Sequence, residues 1–342
     1  MNASRRQRGF TVVEIMVAMA IGLVVSAVVV TMFAASSRSY RVTDAMGDLQ
    51  EAGRIAISSL QRDVHLVGFR GCNSNNVRGS APIANLLATP TAYLNDFTTG
   101  IQGYEASEGG WAPSLPPAVS APGVSVPTGP AALTDVLVMR VVDGAPVALS
   151  AGMANATDDI PVMSAAGFHA GTRAIVADCV GATVFQVTGI GAGTLQHAVG
   201  AGANTSASAQ HVFGSDAAVM RYETRAYFVG PSTRDSLNER SLWVRVDGSE
   251  PVEVVENVQD MQILYGEDTD GDFVPNVYRT ADAVANWGNV LAINVSLLLR
   301  GSNLRDNQVV TDYVYNGATV TPADRRLRRT YTATMQLRNR TL

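Results

Sequence analysis

The first forty residues contain an almost uninterrupted run of apolar side chains. Between Arg8 and Arg38 the chain reads GFTVVEIMVAMAIGLVVSAVVVTMFAASS, and Glu14 is the only charged residue in this run. A helix of about 20 apolar residues is long enough to cross a hydrocarbon core about 30 Å thick. The run therefore predicts a membrane-spanning helical segment over residues 10–37.

A more polar stretch follows, in which apolar residues still recur at steps of three and four. They form one stripe of a helix, and they are Val42, Met46, Leu49, Gly53, Ala56, Leu60, Val64 and Val67. Most charged residues, Asp63 among them, are expected outside the stripe, and Gly68 with Gly71 provides a stop signal. The pattern predicts one helix over residues 10–67, whose amphipathic second half packs on its own domain.

Beyond Gly71 the hydrophobic pattern is typical of β-strands. Short β-type runs are separated by turn-rich segments, and they cover residues 134–142, 172–179, 183–189, 219–229, 241–247, 260–266, 291–300 and 328–338. Residues 112–130, rich in proline, and 189–210, rich in Gly, Ala, Ser and Thr, are predicted loops without buried strands. We therefore expect an α+β protein in which residues 68–342 form one antiparallel β-sheet domain with large loop insertions.

One predicted strand shows a regular alternation of side-chain types. Between residues 221 and 228, the polar Arg221, Glu223 and Arg225 alternate with residues that are mostly apolar. Such alternation predicts a sheet with one buried and one solvent-exposed face.

Composition and charge narrow the range of functions. The chain has 342 residues, of which 46% are apolar, so it has enough material for a sizeable core. Its net charge of −5 argues against a nucleic-acid binder that relies on a broad basic surface. The two cysteines, Cys72 and Cys179, lack the paired spacing of a structural zinc site.

Charged residues around the apolar run indicate its orientation. Arg5, Arg6 and Arg8 precede it, and by the positive-inside rule they keep the N-terminus in the cytoplasm and send the rest of the chain across the membrane. An ordinary signal peptide fits less well, because an acidic residue inside a spanning helix costs roughly 2.5–3.5 kcal/mol on the insertion scale. Glu14 therefore marks a functional position in an exported protein.

The segment from Arg8 to Glu14 resembles the type IV prepilin signal. A basic leader, a glycine, an aromatic residue directly after it, a glutamate and an uninterrupted apolar helix occur together. The resemblance implies that residues 1–9 are a leader that a prepilin peptidase removes by cutting after Gly9, and that Phe10 is N-methylated. The amine of Phe10 in one subunit is then expected to pair with Glu14 of its neighbour, so that each buried charge gains a partner.

Further segments are similar to the PilW family of type IV pilus minor pilins, and they are residues 49–72, 255–272, 291–300 and 328–340. The resemblance implies a type IV pilin-like fold and a non-enzymatic subunit that assembles with other minor pilins and the major pilin. It also implies an inner-membrane protein whose C-terminal domain is periplasmic before it enters the pilus. Two alternatives are a minor pseudopilin of a type II secretion system and an exported enzyme with a pilin-type anchor. No nucleophile elbow, H-E-x-x-H or Walker loop is found, so no catalytic residue is assigned.

Residues 268–276 contain a candidate metal site. They read DTDGDFVPN, and oxygen ligands at positions 1, 3, 5 and 9 of such a loop suit Ca²⁺. Phe273 stands where an EF-hand has glycine, and a metal-free acidic turn between strands is the alternative. The candidate ligands are Asp268, Asp270, Asp272 and Asn276.

The dense basic cluster of the sequence lies near the C-terminus and comprises Arg325, Arg326, Arg328, Arg329, Arg338 and Arg340. Contact with DNA phosphates is one role open to it. We favour a final strand whose arginines pair with acidic neighbours or with an adjacent subunit, because the cluster lacks the aromatic interleaving of a platform for single strands. No nucleic-acid partner is expected.

Export also predicts a disulfide bond between Cys72 and Cys179, since both cysteines lie in the exported part and would meet an oxidising compartment. The bond would join the end of the long helix to the end of a predicted strand. Two buried free thiols are the alternative.

Overall fold

The computed structural model describes residues 9–71, 83–97, 99–107, 110–120, 134–200, 202–234, 239–301 and 310–340. Within these residues lie a long helix, α1 (Val12–Leu66), a short helix, α2 (Pro117–Ser120), and 3-10 turns at Ala281–Ala283 and Trp287–Asn289. The strands are β1 (Ile83–Asn85), β2 (Ile101–Ser107), β3 (Gly110–Ala112), β4 (Val136–Ala148), β5 (Ile160–Pro161), β6 (Arg173–Ala177), β7 (Ala182–Gln186), β8 (Gly189–Ile190), β9 (Thr194–Gln196), β10 (Ala218–Pro231), β11 (Arg240–Val246), β12 (Val252–Glu256), β13 (Val258–Glu267), β14 (Val277–Arg279), β15 (Val290–Arg300), β16 (Tyr313–Tyr315), β17 (Ala318–Val320) and β18 (Arg328–Gln336).

Specific groups cap the C-terminal end of α1. Gly68 has a φ of 72°, a left-handed conformation that favours glycine. Asn339 donates from Nδ2 to the carbonyl oxygens of His65, at 2.9 Å, and Val67, at 3.0 Å. The C-terminal segment of the chain therefore satisfies carbonyl groups that a helix end leaves unpaired.

Strand β10 organises the larger of the sheets. On one side it pairs with β4 over most of its length, and on the other it pairs with β6 at its start and β11 at its end. The order is β1–β7–β6–β10–β4–β2–β3, with β11 beside β10 and β12 beside β11. Among these described strands, only β1 and β7 pair in parallel.

The second half of α1 packs against both this sheet and a four-stranded antiparallel sheet of order β14–β13–β15–β18. Leu49, Ala56 and Leu60 of the helix are fully buried, in one cluster with Leu137 of β4 and Val295 of β15. Full burial of a leucine side chain contributes roughly 1.5–3 kcal/mol. The apolar stripe predicted from the sequence is therefore the face that holds the helix on the head, by which we mean the β-rich domain after α1.

Gly53 allows the helix and β18 to approach each other closely. A Cβ atom at position 53 would lie 2.6 Å from Cε2 of Tyr331, which is closer than non-bonded carbon atoms come. Glycine inside a helix costs about 1 kcal/mol relative to alanine. Despite that cost, the missing side chain permits the ring of Tyr331 to pack directly on the helix backbone.

The predicted α+β fold is confirmed, with α1 beginning at Val12 and ending at Leu66 instead of spanning 10–67. Each predicted strand corresponds to a described strand, and these are β4, β6, β7, β10, β11, β13, β15 and β18. Part of the proline-rich segment forms α2, with Pro117 at its first position, where its missing N–H costs nothing. Residues 121–130 of that segment lie outside the described residues.

The segment 189–210 differs from the prediction of a loop without a buried strand. It contains β8 and β9, which form a small sheet with β5. Leu195 of β9 is fully buried in a cluster with Ile160 and Phe213. A single leucine among small polar residues gives no periodic pattern, so the sequence carried no strand signal here.

Candidate assembly site and calcium loop

The predicted cleavage bond lies before the helix, in an exposed segment. Gly9 and Phe10 are outside α1, and Phe10 is 83% exposed. Thr11 follows as the N-cap residue in an extended conformation. Residues 1–8 of the predicted leader, with its arginines, lie outside the described residues.

Thr11 and Glu14 form a capping box at the start of α1. The Oγ1 atom of Thr11 accepts the N–H of Glu14 at 3.3 Å. In return Oε2 of Glu14 accepts the backbone N–H of Thr11 at 2.9 Å and its hydroxyl at 3.1 Å. These bonds satisfy N–H groups at the helix start and hold Glu14 in place, near the positive end of the helix dipole.

The face of the helix that carries Glu14 is apolar around it. Phe10, Glu14 and Ala18 follow one another at four-residue steps and line a shallow surface cleft together with Ile15 and Met19. In the described part of the chain, α1 is the one helix that is long and apolar enough to cross a membrane. Its apolar first half has no cover from the head, so it requires lipid or neighbouring helices around it.

The structure brings the three predicted aspartates together between β13 and β14. Ligand oxygens of Asp268, Asp270 and Asp272 lie within 4.8 Å of one another. Asp268 is 1% exposed, and its two carboxylate oxygens accept the N–H groups of Gly271 at 2.7 Å and Phe273 at 3.0 Å. The loop is therefore organised around a buried aspartate, with the other two carboxylates at the surface.

Asn276 closes the loop instead of pointing an oxygen toward the carboxylates. Its Oδ1 accepts the N–H of Thr269 at 2.8 Å, and its Nδ2 donates to Asp270 at 3.0 Å. Phe273 has a φ of 67°, so it adopts the left-handed conformation for which an EF-hand uses glycine. Three of the four predicted ligands thus converge, and the fourth stabilises the turn.

Several of the predicted basic residues near the C-terminus make contacts within the head. Arg328 pairs with Asp324 at 2.5 Å, and the guanidinium of Arg329 lies 5.5 Å from the centre of the Tyr331 ring. Arg340 is 6% exposed and donates to the carbonyl oxygen of Trp287 at 2.5 Å. Its burial lowers the pKa of Arg340 to about 10. These three arginines stabilise the end of the chain against the head.

One of the two predicted disulfide cysteines lies in the turn between β6 and β7. Cys179 follows Asp178, whose Oδ1 accepts the N–H groups of Val180 and Gly181, both at 2.7 Å. Cys72 lies outside the described residues, so the disulfide between Cys72 and Cys179 stays a prediction.

A buried ion pair between α1 and β10 was missed by the sequence analysis. Asp63 is fully buried, where it accepts the hydroxyl of Tyr227 at 2.7 Å and pairs with Arg225 at 2.9 Å. Arg225 also pairs with Glu223 at 2.8 Å and with Asp143 at 3.3 Å. Burial acts to lower the pKa of Arg225, but the neighbouring carboxylates outweigh it and raise the pKa above its usual value.

The expectation that Asp63 lies outside the apolar stripe is therefore wrong. Asp63 follows Leu60 by three residues and Ala56 by seven, and the helical period places all three on one face. The signal was present in the sequence, since a carboxylate at a stripe position requires a buried partner.

Two family models match the chain. The family described as "Type IV Pilus-assembly protein W" matches residues 226–339, which run from within β10 to the segment that caps α1. The family described as "Prokaryotic N-terminal methylation motif" matches residues 4–30, which include the predicted cleavage bond and Glu14. The two matches therefore cover the uncovered first half of α1 and the C-terminal part of the head.

Among curated proteins, the chain is similar to "Pilin-like protein PilA3" of Thermus thermophilus. The two are 44% identical over 70 residues, which are 20% of this chain and 30% of that relative. The match thus spans less than a third of the relative's length. No solved structure matches the chain.

A prepilin-type N-terminus, an uncovered apolar helix and a β-rich head packed on the second half of that helix together define a type IV pilin-like protein. The two family matches and the pilin-like relative support its assignment to the type IV pilus minor pilins of the PilW family. The matches thus support the predicted family, and the predicted α+β, pilin-like fold is confirmed. Both matched families are structural pilus families rather than enzyme families.

Proposed function

We propose that this protein is a minor pilin, a structural and priming subunit of the type IV pilus. It inserts in the inner membrane, is cut after Gly9 by prepilin peptidase, is N-methylated at Phe10 and assembles with other minor pilins and the major pilin. The observation that carries the proposal is the exposed Gly9–Phe10 bond, directly before a capped helix whose apolar first half has no cover. The pilus-assembly match at residues 226–339 favours a pilus over a type II secretion system.

The length of α1 supports a specific position for Glu14 in the membrane. Arg38, Tyr40 and Arg41 are exposed at the end of the apolar run and are of the types that settle at a membrane interface. Arg38 follows Glu14 by 24 residues, or about 36 Å of helix, whereas the hydrocarbon core is about 30 Å thick. Glu14 therefore reaches the cytoplasmic headgroups, where a charged side chain costs less than at the centre of the membrane.

Entry into the fibre changes the surroundings of Glu14. There the apolar helices surround the carboxylate, and an uncompensated charge in such a medium costs several kcal/mol. The free amine of Phe10 in a neighbouring subunit supplies the opposite charge. The pair rejects wrong axial registers, because a displaced neighbour would leave both charges buried and unpaired.

Replacing Glu14 by glutamine removes the charge and keeps the helix cap, so the two effects can be measured separately. The glutamine side chain can still accept the Thr11 N–H bond, but it cannot form an ion pair. We expect Glu14→Gln and Glu14→Ala proteins to insert and to begin at Phe10 on N-terminal sequencing. Their amount in sheared pili should fall about tenfold or more, which corresponds to about 1.4 kcal/mol or more of lost pairing.

Glu250→Gln, at an exposed glutamate of the head, is the matched control and should leave recruitment unchanged. A mature protein that begins at Met1 or beyond residue 35 would contradict the processing step. Wild-type recruitment of the Glu14→Gln protein would contradict the pairing.

We also propose that the loop of Asp268, Asp270 and Asp272 binds calcium in the head. Support comes from three carboxylates whose oxygens lie within 4.8 Å of one another, an arrangement in which like charges repel and a divalent cation would remove the repulsion. Asp268 is already fixed by two backbone N–H groups, so a cation would mainly order the exposed Asp270 and Asp272.

Calcium should therefore stabilise the wild-type protein measurably. For a site with a dissociation constant of about 10⁻⁴–10⁻³ M, about 10 mM Ca²⁺ should raise the free energy of unfolding by about 1–3 kcal/mol. Thermal unfolding of the full-length protein in detergent, with and without calcium, measures the effect. Asp270→Asn/Asp272→Asn should abolish it, while Asp158→Asn, at a partly buried turn elsewhere in the head, should not. An equal shift in the double variant would exclude this site.

A further inference from the structure

The four-stranded sheet β14–β13–β15–β18 has one face that α1 does not cover. Side chains alternate between the two faces of a sheet, and Ile263, Val295 and Met335 are buried in the cluster that contains the helix. The residues next to them in each strand therefore point away from α1, and strand pairing aligns them in rows. We call two of these rows the outer sheet face, and they are Leu264, Asn294 and Thr334, followed by Gln262, Ser296 and Thr332.

The outer sheet face is polar but uncharged. Five of its six residues are Asn, Gln, Ser or Thr, and the sixth is Leu264, which is 40% exposed. Thr332 and Thr334 are exposed, and Asn294 and Ser296 are partly exposed. A surface of this kind offers hydrogen-bonding groups over its whole area, but it offers no charge to an ionic partner.

Hydrogen bonds within each row hold these groups in place and leave capacity for a ligand. Nδ2 of Asn294 donates to Oγ1 of Thr334 at 2.8 Å, and the hydroxyl oxygens of Ser296 and Thr332 are 3.2 Å apart. Oδ1 of Asn294 can accept a further bond, and the Thr334 hydroxyl can still donate its own proton. Neighbouring donors and acceptors suit a ligand hydroxyl, because a hydroxyl group both donates and accepts.

An aromatic ring borders the outer sheet face at one end. Tyr278 of β14 pairs with Gly266 of β13 and is 42% exposed. A Cβ atom at position 266 would lie 3.1 Å from both Cε1 and Cζ of Tyr278, so the ring lies against the sheet where glycine leaves room for it. The ring and the nearby Leu264 thus add apolar contact area beside the hydroxyl and amide groups.

The hairpin of β16 and β17 borders the other end. The Tyr315 hydroxyl donates to the carbonyl oxygen of Ser296 at 3.2 Å, and the Thr330 hydroxyl donates to the carbonyl oxygen of Val314 at 2.9 Å. Leu298, which follows Ser296 on the same side of β15, is only 3% exposed. The outer sheet face is therefore a bounded strip between Tyr278 and this hairpin.

From this combination we propose that the outer sheet face binds a neutral oligosaccharide. A sugar ring has hydroxyl groups around its edge and C–H groups on its two sides. It therefore requires uncharged donors and acceptors together with an apolar surface, and the outer sheet face with Tyr278 provides all three.

Other partners fit these side chains less well. The residues that dominate protein–protein interfaces are Trp, Tyr and Arg, whereas Ser and Thr contribute little there. Anionic polymers are bound through arginine forks, and neither row contains arginine. The composition of the outer sheet face therefore favours a carbohydrate.

The position of the face would keep it accessible in a fibre, and this step alone rests on the proposed function. There the apolar helices of neighbouring subunits cover one another at the centre. The outer sheet face lies on the side of its sheet opposite α1. A subunit could therefore hold a carbohydrate while its helix is packed among other helices.

Binding of defined sugars by the full-length protein tests the proposal. The protein is placed in lipid nanodiscs, because detergents with sugar headgroups would compete. It is titrated with neutral tetrasaccharides of glucose, galactose, mannose and N-acetylglucosamine, each beside its sulfated counterpart. We expect at least one neutral tetrasaccharide to bind with a dissociation constant of about 0.1–1 mM, and its sulfated counterpart to bind at least tenfold more weakly.

Variants assign this binding to the outer sheet face. Thr332→Val/Thr334→Val removes two hydroxyls with little change in side-chain volume or strand propensity, and it should weaken binding at least tenfold. Thr319→Val, at an exposed threonine of β17, is the matched control and should bind like wild type. Tyr278→Ala should weaken binding about fivefold, whereas Tyr278→Phe keeps the ring and should bind like wild type.

Three results would overturn the proposal. They are no binding of any neutral tetrasaccharide at about 10 mM, equal binding of neutral and sulfated forms, and wild-type binding by the Thr332→Val/Thr334→Val protein. Loss of this double variant from sheared pili, without sugar binding by the wild type, would assign the face to another pilin instead. Binding in nanodiscs needs no assembly, so wild-type protein that binds sugar but is absent from pili refutes only the proposed function.

Discussion

Replacing Asp63 by alanine is expected to lower the free energy of unfolding by about 3–5 kcal/mol. The change removes the carboxylate that accepts the Tyr227 hydroxyl and pairs with Arg225 between α1 and β10. Arg225 keeps Glu223 and Asp143 as partners, so the lower end of this range is expected. Urea unfolding of the full-length protein in detergent, followed by circular dichroism, measures the loss.

Two variants sharpen this prediction. Asp63→Asn keeps an oxygen for the Tyr227 hydroxyl but loses the charge and the second oxygen, which accepts from Arg225, so it should cost less than Asp63→Ala. Glu51→Ala removes the exposed partner of Arg54 on the same helix, and it should cost at most about 1 kcal/mol, because exposed pairs contribute little. A loss below about 1 kcal/mol for Asp63→Ala would show that the buried pair does not stabilise the helix against the head.

The same residues show what the sequence could and could not predict. The alternation on β10 correctly separates Arg225 from the apolar face of the strand, but around Arg225 the polar face is largely buried. Asp63 of the helix provides a partner there. Local periodicity predicts which side of an element a residue occupies, whereas what lies against that side depends on residues more than 150 positions away.

The proposed N-terminal site rests on a different kind of signal. Gly9, Phe10 and Glu14 lie within a few residues of one another, so the proposed motif depends on their order along the chain and needs no tertiary contact. The loop of Asp268, Asp270 and Asp272 lies between these cases. The spacing of its aspartates predicted their convergence, but the position of Asn276 depends on its hydrogen bonds to Thr269 and Asp270, which the spacing alone does not specify.

The carboxyl group of Asp135 links the two larger sheets, and its effect on stability can be tested by varying the pH. Asp135 precedes β4 and is 2% exposed. Its oxygens accept the N–H of Ala106 in β2 at 3.0 Å and the N–H of Ile263 in β13 at 2.8 Å. Burial, and then the nearby Glu105, raise the pKa of Asp135 to about 8.

The raised pKa determines how stability should change with pH. Between about pH 4 and pH 8 the folded protein holds a proton on Asp135 that the unfolded chain has released. The stabilisation is therefore complete below the unfolded pKa of 3.8 and is lost as the pH rises through about 8. A shift of this size corresponds to up to about 6 kcal/mol across the window.

The Asp135→Asn variant should lack the part of this pH dependence that comes from Asp135. Asparagine cannot ionise, but its amide can accept only one of the two N–H bonds, which costs about 1–3 kcal/mol at every pH. We expect the variant to be less stable than wild type near pH 4.5 and more stable near pH 9. Urea unfolding of the full-length protein in detergent across this range gives the crossing point.

Asp158→Asn is the matched control for this crossing, because Asp158 also accepts two backbone N–H groups, from Ala154 and Asn155, but is only partly buried. Burial also raises the pKa of Glu105 and Asp260, so part of the wild-type slope should persist in the Asp135→Asn protein, and the difference between the two proteins is the quantity to compare. If that difference were constant from pH 4.5 to pH 9, Asp135 would not hold an extra proton in the folded protein over this range.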